Sequence, residues 1–208
     1  MSGMEVVVTG VRRERGLAKL TLSSGEVLAM PRAMLKEQPY RSDMPFDRAA
    51  FDAFLLERAY PFAMEKAVAL LAVRARTEKE IVDALRKNAY PERAIARVMA
   101  YLGEAGYLSD AAFAQQWAAT HSARGMGARR IRMELRHKGV RQEEIEQALD
   151  ALDEDDALAG ALRIAEKAAR GKDLSNPADR RKVFASLARR GYDSSVSREA
   201  IESLLSRS

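Results

Sequence analysis

Apolar positions along most of the chain recur every three or four residues, the spacing of an amphipathic helix. Ile81 and Leu85 follow the segment Thr77–Glu80, whose Thr and Glu predict a capping box at a helix start. A further helix is predicted from Pro91 to Gly103, with apolar residues on one face. The pattern therefore predicts one helix after another from Phe62 onward.

The N-terminal part of the chain has a different pattern. Three short, partly alternating segments predict a β-meander: Glu5–Thr9, Leu17–Leu22 and Glu26–Met30. A short helix is expected after Pro31 and a loop from Pro39 to Pro45. A helix is then expected from Asp47 to Tyr60, where Pro61 should break or restart it.

An internal repeat is the main signal in the sequence. The segments Leu85–Tyr90, Leu135–Val140 and Leu187–Tyr192 align, and each predicts a helix end followed by a second helix. The first two repeats stay in register further on, because Ile95 and Ile145 both lie ten residues beyond their Leu. In the third, Val196 lies nine residues beyond, so we expect its register to slip by one.

These elements predict a mainly α fold of three tandem three-helix units that form an elongated, curved array behind a small β-rich segment. The expected boundaries are 1–60 for the β-meander plus helices, then 61–108, 109–153 and 154–208 for the repeats. A unit of about fifty residues buries little core by itself. Stacking between neighbours should supply the remaining burial.

Composition narrows the class of protein. The chain has no Cys, which excludes a disulfide framework and thiolate zinc sites. The first residues lack the pattern of a signal peptide, and the longest apolar run, Ala67–Val73, is far too short to span a bilayer. We therefore expect a cytoplasmic monomer with no membrane partner.

The formal net charge is +5, but its distribution is more informative than its sum. From Arg124 to Arg141 there are seven basic residues and one acid, whereas from Glu143 to Asp156 there are eight acids and no base. Two interpretations stay open. Either the two helices present a dipolar surface to a partner, or their faces pair with each other.

Basic residues recur near the second helix of each unit, and they are the candidate partner-binding residues. Charge at equivalent positions of a repeat would suit an extended acidic or polyanionic partner. The alternative is that bases in a last helical turn only favour the helix dipole. The candidates are Arg86, Lys87, Arg124, Arg129, Arg130, Arg132, Arg136, Lys138, Arg189 and Arg190.

Nothing in the sequence converges on a reaction. The two histidines, His121 and His137, are sixteen residues apart near predicted helix ends, a common place for surface histidines. The sequence contains no HExxH, P-loop or GxSxG pattern. We expect no enzymatic activity, no metal and no cofactor.

Three blocks of residues resemble the RecX family. The first is Thr77–Ile81 followed by Leu85, and the second is Gly106–Asp110 with Phe113 and Ala114. The third runs from Gly127 to Ile131 and through Glu134-Leu135 and Lys138–Val140 to Ile145. Within them, Phe113 and Trp117 lie four residues apart and are expected to pack in the core. The resemblance covers about residues 60–206.

The resemblance implies a protein partner. RecX-like proteins bind the RecA recombinase, lodge in the groove of its DNA filament, and damp strand exchange, ATP hydrolysis and SOS signalling. No cofactor is implied beyond the nucleotide of RecA. Because the basic residues form a stripe without a base-reading pattern, we expect contact with single-stranded or duplex DNA to be weak. Two alternatives stay open: a helix-turn-helix-like repressor that acts directly on DNA, and a plain helical scaffold for another protein.

Overall fold

The computed structural model describes residues 6–206. Backbone contacts divide the chain into two compact halves, with the boundary between Leu108 and Ser109. The described residues contain a small β-sheet in the N-terminal half and nine α-helices, which confirms the mainly α fold with a β-rich N-terminal segment. No helix among them combines the length and the apolar character needed to cross a membrane. The elongated, curved arrangement of the units stays a prediction.

The sheet has four antiparallel strands in the order β3-β2-β1-β4, which are β1 Val7–Arg13, β2 Leu17–Leu22, β3 Val27–Pro31 and β4 Met44–Pro45. The first strand is longer than predicted, because it continues past a bulge between Val8 and Gly10 to Arg13. Glu5 lies outside the described residues. A short 3-10 helix, Arg32–Lys36, follows β3 as expected.

The expected loop from Pro39 to Pro45 is partly wrong, because its end forms β4 against β1. Val7 is paired with Pro45 and Val8 with Met44. Pro45 has no amide hydrogen and therefore suits an edge strand, where no further neighbour needs one. The apolar face of the sheet packs in one core with the first helices, and Val8, Ala18, Leu20 and Met30 are fully buried there.

Helix α1, Arg48–Leu71, runs through Pro61, so the predicted break there is wrong. The expected boundary between residues 60 and 61 falls inside this helix. Proline in a helix interior removes one hydrogen bond and costs about 3 kcal/mol. The helix continues because Ala59, Ala63 and Ala67, four residues apart on one face, are all fully buried. That packing on both sides of Pro61 offsets the local cost.

Helices α2, Glu78–Lys87, and α3, Glu92–Glu104, complete the N-terminal half. The Thr77 hydroxyl caps α2 by accepting from the Glu80 amide at 3.3 Å, as the sequence predicts. The Glu80 carboxylate binds Arg74 at 2.9 Å. Tyr90 ties the helices together, since its hydroxyl donates to the Phe62 carbonyl of α1 at 3.1 Å. Burial raises the pKa of this hydroxyl to about 12.

The C-terminal half contains the second and third three-helix units. Their helices are α4 Asp110–Ala123, α5 Ala128–His137, α6 Gln142–Asp150, α7 Glu154–Ala169, α8 Pro177–Arg189 and α9 Ser194–Leu205. Each unit has its own apolar core, centred on Ile131, Leu135 and Ile145 in one and on Val183 and Leu187 in the other. The Asn176 side chain caps the start of α8, because it accepts from the Ala178 amide at 2.8 Å.

Candidate functional site

The aligned segments of the three repeats form the same helix-ending turn. In each, an amide donates across the turn to the carbonyl of the aligned leucine at 3.2 Å: Tyr90 to Leu85, Val140 to Leu135 and Tyr192 to Leu187. The preceding residue has a positive φ, 59° at Ala89, 86° at Gly139 and 88° at Gly191. This is a Schellman motif, and it confirms the internal repeat.

The predicted register slip in the third unit is wrong. Ile95, Ile145 and Ser197 each lie four residues after the N-cap of their helix, and the amide of each donates to the carbonyl of that N-cap residue. All three are buried, with Ser197 0% exposed. The register is therefore kept, and the third unit has a serine where the other two have isoleucine.

Several candidate basic residues are paired within the protein. Arg132 donates two hydrogen bonds to Glu146 of α6, from Nε at 2.8 Å and from Nη2 at 2.7 Å. These bonds lower the pKa of the Glu146 carboxyl and raise that of the Arg132 guanidinium. Arg86 makes the same fork-like contact with Glu92, at 2.7 and 2.8 Å. At Arg132 the basic and acidic helix faces pair with each other, which is one of the two interpretations left open by the charge pattern.

Three more of the candidate basic residues interact with other side chains of the protein. Arg136 Nε donates to Gln142 at 2.8 Å, and Arg130 Nε donates to Glu134 at 3.2 Å one turn along α5. The Lys138 ammonium lies 4.4 Å from the centre of the Trp117 ring. Lys138 therefore serves the second core as a cation over an aromatic face, a role that sequence spacing does not reveal.

Phe113 and Trp117 pack as predicted. Phe113 is 8% exposed and its ring stacks on Trp117, with centroids 5.5 Å apart. The His121 ring stacks on the other side of Trp117 at 4.0 Å, and its Nδ1 lies 2.8 Å from the Trp117 carbonyl oxygen. This column of rings gives His121 a packing role.

The remaining candidates keep their charge available. None of them makes an ion pair with another described residue, and all are exposed: Lys87, Arg124, Arg129, Arg189 and Arg190. Lys87 lies in the N-terminal half. The other four lie in the C-terminal half, where their positions can be compared.

Two backbone hydrogen bonds join the start of α5 to the end of α8. The Gly127 amide donates to the Arg190 carbonyl at 2.9 Å, and the Arg129 amide donates to the Gly191 carbonyl at 3.1 Å. The free amides of one helix end thus satisfy the free carbonyls of another, and the two dipoles lie head to tail. This contact brings Arg129 beside Arg189 and Arg190, although sixty residues separate them in the sequence.

The contact depends on two glycines. A Cβ on Gly127 would lie 2.3 Å from the Gly191 carbonyl carbon, and a Cβ on Gly191 would lie 2.4 Å from the Arg130 Cβ. Tyr192, buried at the same turn, places its hydroxyl within 2.9 Å of where a Cβ on Gly160 would be. The second and third units are therefore interlocked, and there is no room for a side chain larger than glycine at Gly127, Gly160 or Gly191.

One member of this surface was missed by sequence reasoning. Met133 is 51% exposed. It lies four residues after Arg129 in α5 and therefore on the same face of the helix. The missed signal was a large apolar residue on the polar face of a strongly amphipathic helix. We call the surface formed by Arg124, Arg129, Met133, Arg189 and Arg190 the junction face.

Residues 6–206 contain no group of three or more His, Asp or Glu side chains placed to hold a metal ion. Carboxylates among these residues instead form surface ion pairs, as Glu134 does with Arg130. Others cap helices, as Asp153 does by accepting from the Asp155 amide at 2.8 Å. The junction face therefore offers arginine side chains and one apolar side chain to a partner.

Three family models match the chain in succession. They describe the first, second and third three-helix domains of RecX, and they match residues 63–102, 109–149 and 154–201. The regulatory protein RecX of Mycolicibacterium smegmatis is 34% identical over 176 residues, which is 82% of this chain and 91% of that protein. The chain belongs to the RecX family.

Further RecX proteins are also similar to this chain in sequence or in fold. The regulatory protein RecX of Thermobifida fusca is 33% identical over 67% of this chain and 77% of its own length. A crystal structure of a regulatory protein RecX covers 95% of this chain with a TM-score of 0.65 at 20% identity. RecX from Lactobacillus salivarius covers 70% with a TM-score of 0.66 at 22% identity. At such identities these structures support the fold, and the regulatory role comes from the family.

Proposed function

We propose that this RecX-family chain binds the RecA filament and restrains its recombinase, ATPase and SOS co-protease activities. It acts in the cytoplasm as a monomer, and it regulates without catalysing a reaction of its own. Its contact with RecA is made by the junction face. The observation that most supports this site is the convergence of Arg129, Arg189 and Arg190 at the interlock between the second and third units.

The junction face has the chemistry of a protein interface. Arginine is over-represented at the positions that dominate binding energy, and methionine is enriched at interfaces. Met133 supplies an exposed apolar contact beside Arg129, which is exposed and makes no ion pair with a described residue. Because the flanking backbone is interlocked, a partner would not have to order this surface on binding.

The charge of the third helix in the second unit disfavours the repressor alternative. In a helix-turn-helix protein the recognition helix enters the major groove between two rows of phosphates. In the second unit, the first turn of α6 carries Glu143 and Glu144, and Glu146 follows one turn later. Such a helix would be repelled by phosphates, and Arg132 is already paired with Glu146.

The test is inhibition of ATP hydrolysis by RecA on single-stranded DNA. We expect the triple variant Arg129→Ala, Arg189→Ala, Arg190→Ala to need at least about tenfold more protein for half-inhibition, which corresponds to about 1.4 kcal/mol of binding energy. The matched control is Lys167→Ala, Arg170→Ala, Arg181→Ala, which removes three exposed charges elsewhere in the same half. It should inhibit like the unmodified protein.

Folding is controlled separately. Leu135 is 0% exposed, so Leu135→Ala should lower the free energy of unfolding by about 2–5 kcal/mol yet inhibit normally where it stays folded. The arginine variant should melt within a few degrees of the unmodified protein. Full inhibition by a folded arginine variant would exclude the junction face as the RecA site, and no inhibition by the unmodified protein would exclude the function itself.

A further inference from the structure

A second basic surface lies in the N-terminal half, at the turn between β1 and β2. It combines the turn residues Arg13 and Arg15, the first residue of the 3-10 helix, Arg32, and the last residue of α2, Lys87. We call these four residues the hairpin cluster. Three of them lie outside the residues matched by the RecX domain models, which begin at residue 63. We infer that the hairpin cluster binds the phosphodiester backbone of a nucleic acid.

Close backbone contacts bring the four residues together. Gly16 ends the β1–β2 turn with a φ of 93°, and a Cβ on it would overlap the Asn88 side chain at 1.5 Å. The turn is therefore pressed against the end of α2, where Lys87 precedes Asn88. The Arg32 amide donates to the Gly16 carbonyl at 3.1 Å, which places Arg32 at the same turn.

The direction of Arg13 follows from the strand register. Arg13 is paired with Ala18, and paired residues of adjacent strands point to the same face of a sheet. Ala18 is fully buried on the face that packs on the core. Arg13 therefore extends past the edge of the core on the helix side of the sheet, the side on which Asn88 and Lys87 lie.

The basic side chains of the hairpin cluster reach solvent. All four are exposed, and none makes an ion pair with another described residue. The one acid in the turn, Glu14, is held by Lys19 at 3.0 Å and by Arg12 at 3.6 Å. Four positive charges therefore face solvent around one turn that is fixed by backbone contacts.

The surroundings favour phosphate over a protein partner. Protein interfaces need exposed apolar residues at their centre, whereas phosphate contacts need only basic and polar donors. The most exposed large apolar side chains among the described residues include Met133 on the junction face, but none lies in the turn, at Arg32 or at Lys87. Three of the four bases are arginines, whose planar fork matches a phosphate.

Fluorescence anisotropy of the full chain with a labelled thirty-nucleotide oligo-dT tests the inference. The variant Arg13→Ala, Arg15→Ala should bind about tenfold more weakly at low salt. Each lost phosphate contact should lower the slope of log affinity against log salt by about 0.7 on single strands and about 0.9 on duplex. The same titration with a thirty-base-pair duplex therefore distinguishes the two forms of nucleic acid.

The matched control is Arg41→Ala, Arg93→Ala, which removes two exposed charges in the same half. Ser42 bonds to the Thr9 carbonyl, which places Arg41 toward the opposite end of β1 from Arg13. This control should bind oligo-dT within about twofold of the unmodified chain. A clear loss in the hairpin variant alone, with an unchanged circular dichroism melt, supports the inference.

Three results would overturn it. The first is no binding of oligo-dT or duplex by the unmodified chain at low salt. The second is equal weakening by the hairpin variant and its control, which would mean that only diffuse charge attracts the nucleic acid. The third is binding of a thirty-residue polyglutamate as tightly as oligo-dT, with the same loss in the hairpin variant. That result would reassign the surface to an acidic protein.

Discussion

At the scale of single residues, the sequence could locate basic side chains but not their partners. Arg129 and Arg132 lie three residues apart on one helix and look equivalent in the sequence. In the structure Arg132 is bound by Glu146, fourteen residues away, whereas Arg129 has no ion-pair partner among the described residues. Which of two neighbouring arginines is neutralised depends on how the next helix packs, and helical spacing alone does not contain that information.

Ala89 gives a prediction at this scale. It has a φ of 59° at the turn where the other units have Gly139 and Gly191. The left-handed conformation costs a residue with a Cβ about 1–2 kcal/mol, and glycine loses about 0.4–1 kcal/mol through the entropy of the unfolded chain. Ala89→Gly should therefore raise the free energy of unfolding by roughly 0.5–1 kcal/mol in urea titrations.

The reverse substitution at the equivalent position is the control. Gly139→Ala introduces a Cβ at a φ of 86° and should destabilise the protein by about 1 kcal/mol or more. A destabilising Ala89→Gly, in the presence of a destabilising Gly139→Ala, would show that the strain at Ala89 is relieved by its surroundings.

At the scale of elements, the local sequence pattern predicted most helices. It failed where tertiary packing determines whether a segment is a helix or a strand. Pro61 is a local signal for a helix end, yet α1 continues because its alanine stripe is buried on both sides of the proline. β4 was missed because two residues with a proline have no strand pattern of their own. They become a strand only because β1 offers an unpaired edge.

Gly127 gives the prediction at the scale of elements. A Cβ there would lie 2.3 Å from the Gly191 and Tyr192 backbone, so α5 and α8 would have to move apart. Gly127→Ala should break the two interhelix amide bonds and lower the free energy of unfolding by about 2 kcal/mol or more. Hydrogen exchange of the Gly127 and Arg129 amides should accelerate with it.

Gly103→Ala is the matched control for that substitution. Gly103 lies inside α3, and a Cβ on it would meet nothing within 4 Å. Alanine should therefore stabilise the helix by about 0.5–1 kcal/mol. If Gly127→Ala changed stability and exchange no more than Gly103→Ala does, the interlock of the second and third units would contribute nothing to the fold.

At the scale of the whole molecule, the repeat could be predicted because each unit ends its second helix with the same turn chemistry. The apparent slip in the third unit came from counting apolar residues. Ile95 and Ile145 are isoleucines, and the equivalent residue, Ser197, is polar, so the count moved to Val196. This position is buried in all three units because they share one architecture. In the third unit the residue is polar, so the sequence pattern did not reveal that the position is buried.

Ser197 gives the prediction at this scale. Its Oγ is buried and has no hydrogen-bond partner among residues 6–206, a condition that costs about 1–3 kcal/mol. Ser197→Ala should therefore raise the free energy of unfolding by about 1 kcal/mol, measured by urea titration, and leave the inhibition of RecA unchanged because Ser197 does not reach the surface. The control, Ser195→Ala, alters an exposed serine of the same helix and should change stability by less than about 0.5 kcal/mol. A loss of stability in Ser197→Ala would mean that the hydroxyl is satisfied by a buried water, and the serine would then be a functional part of the third core.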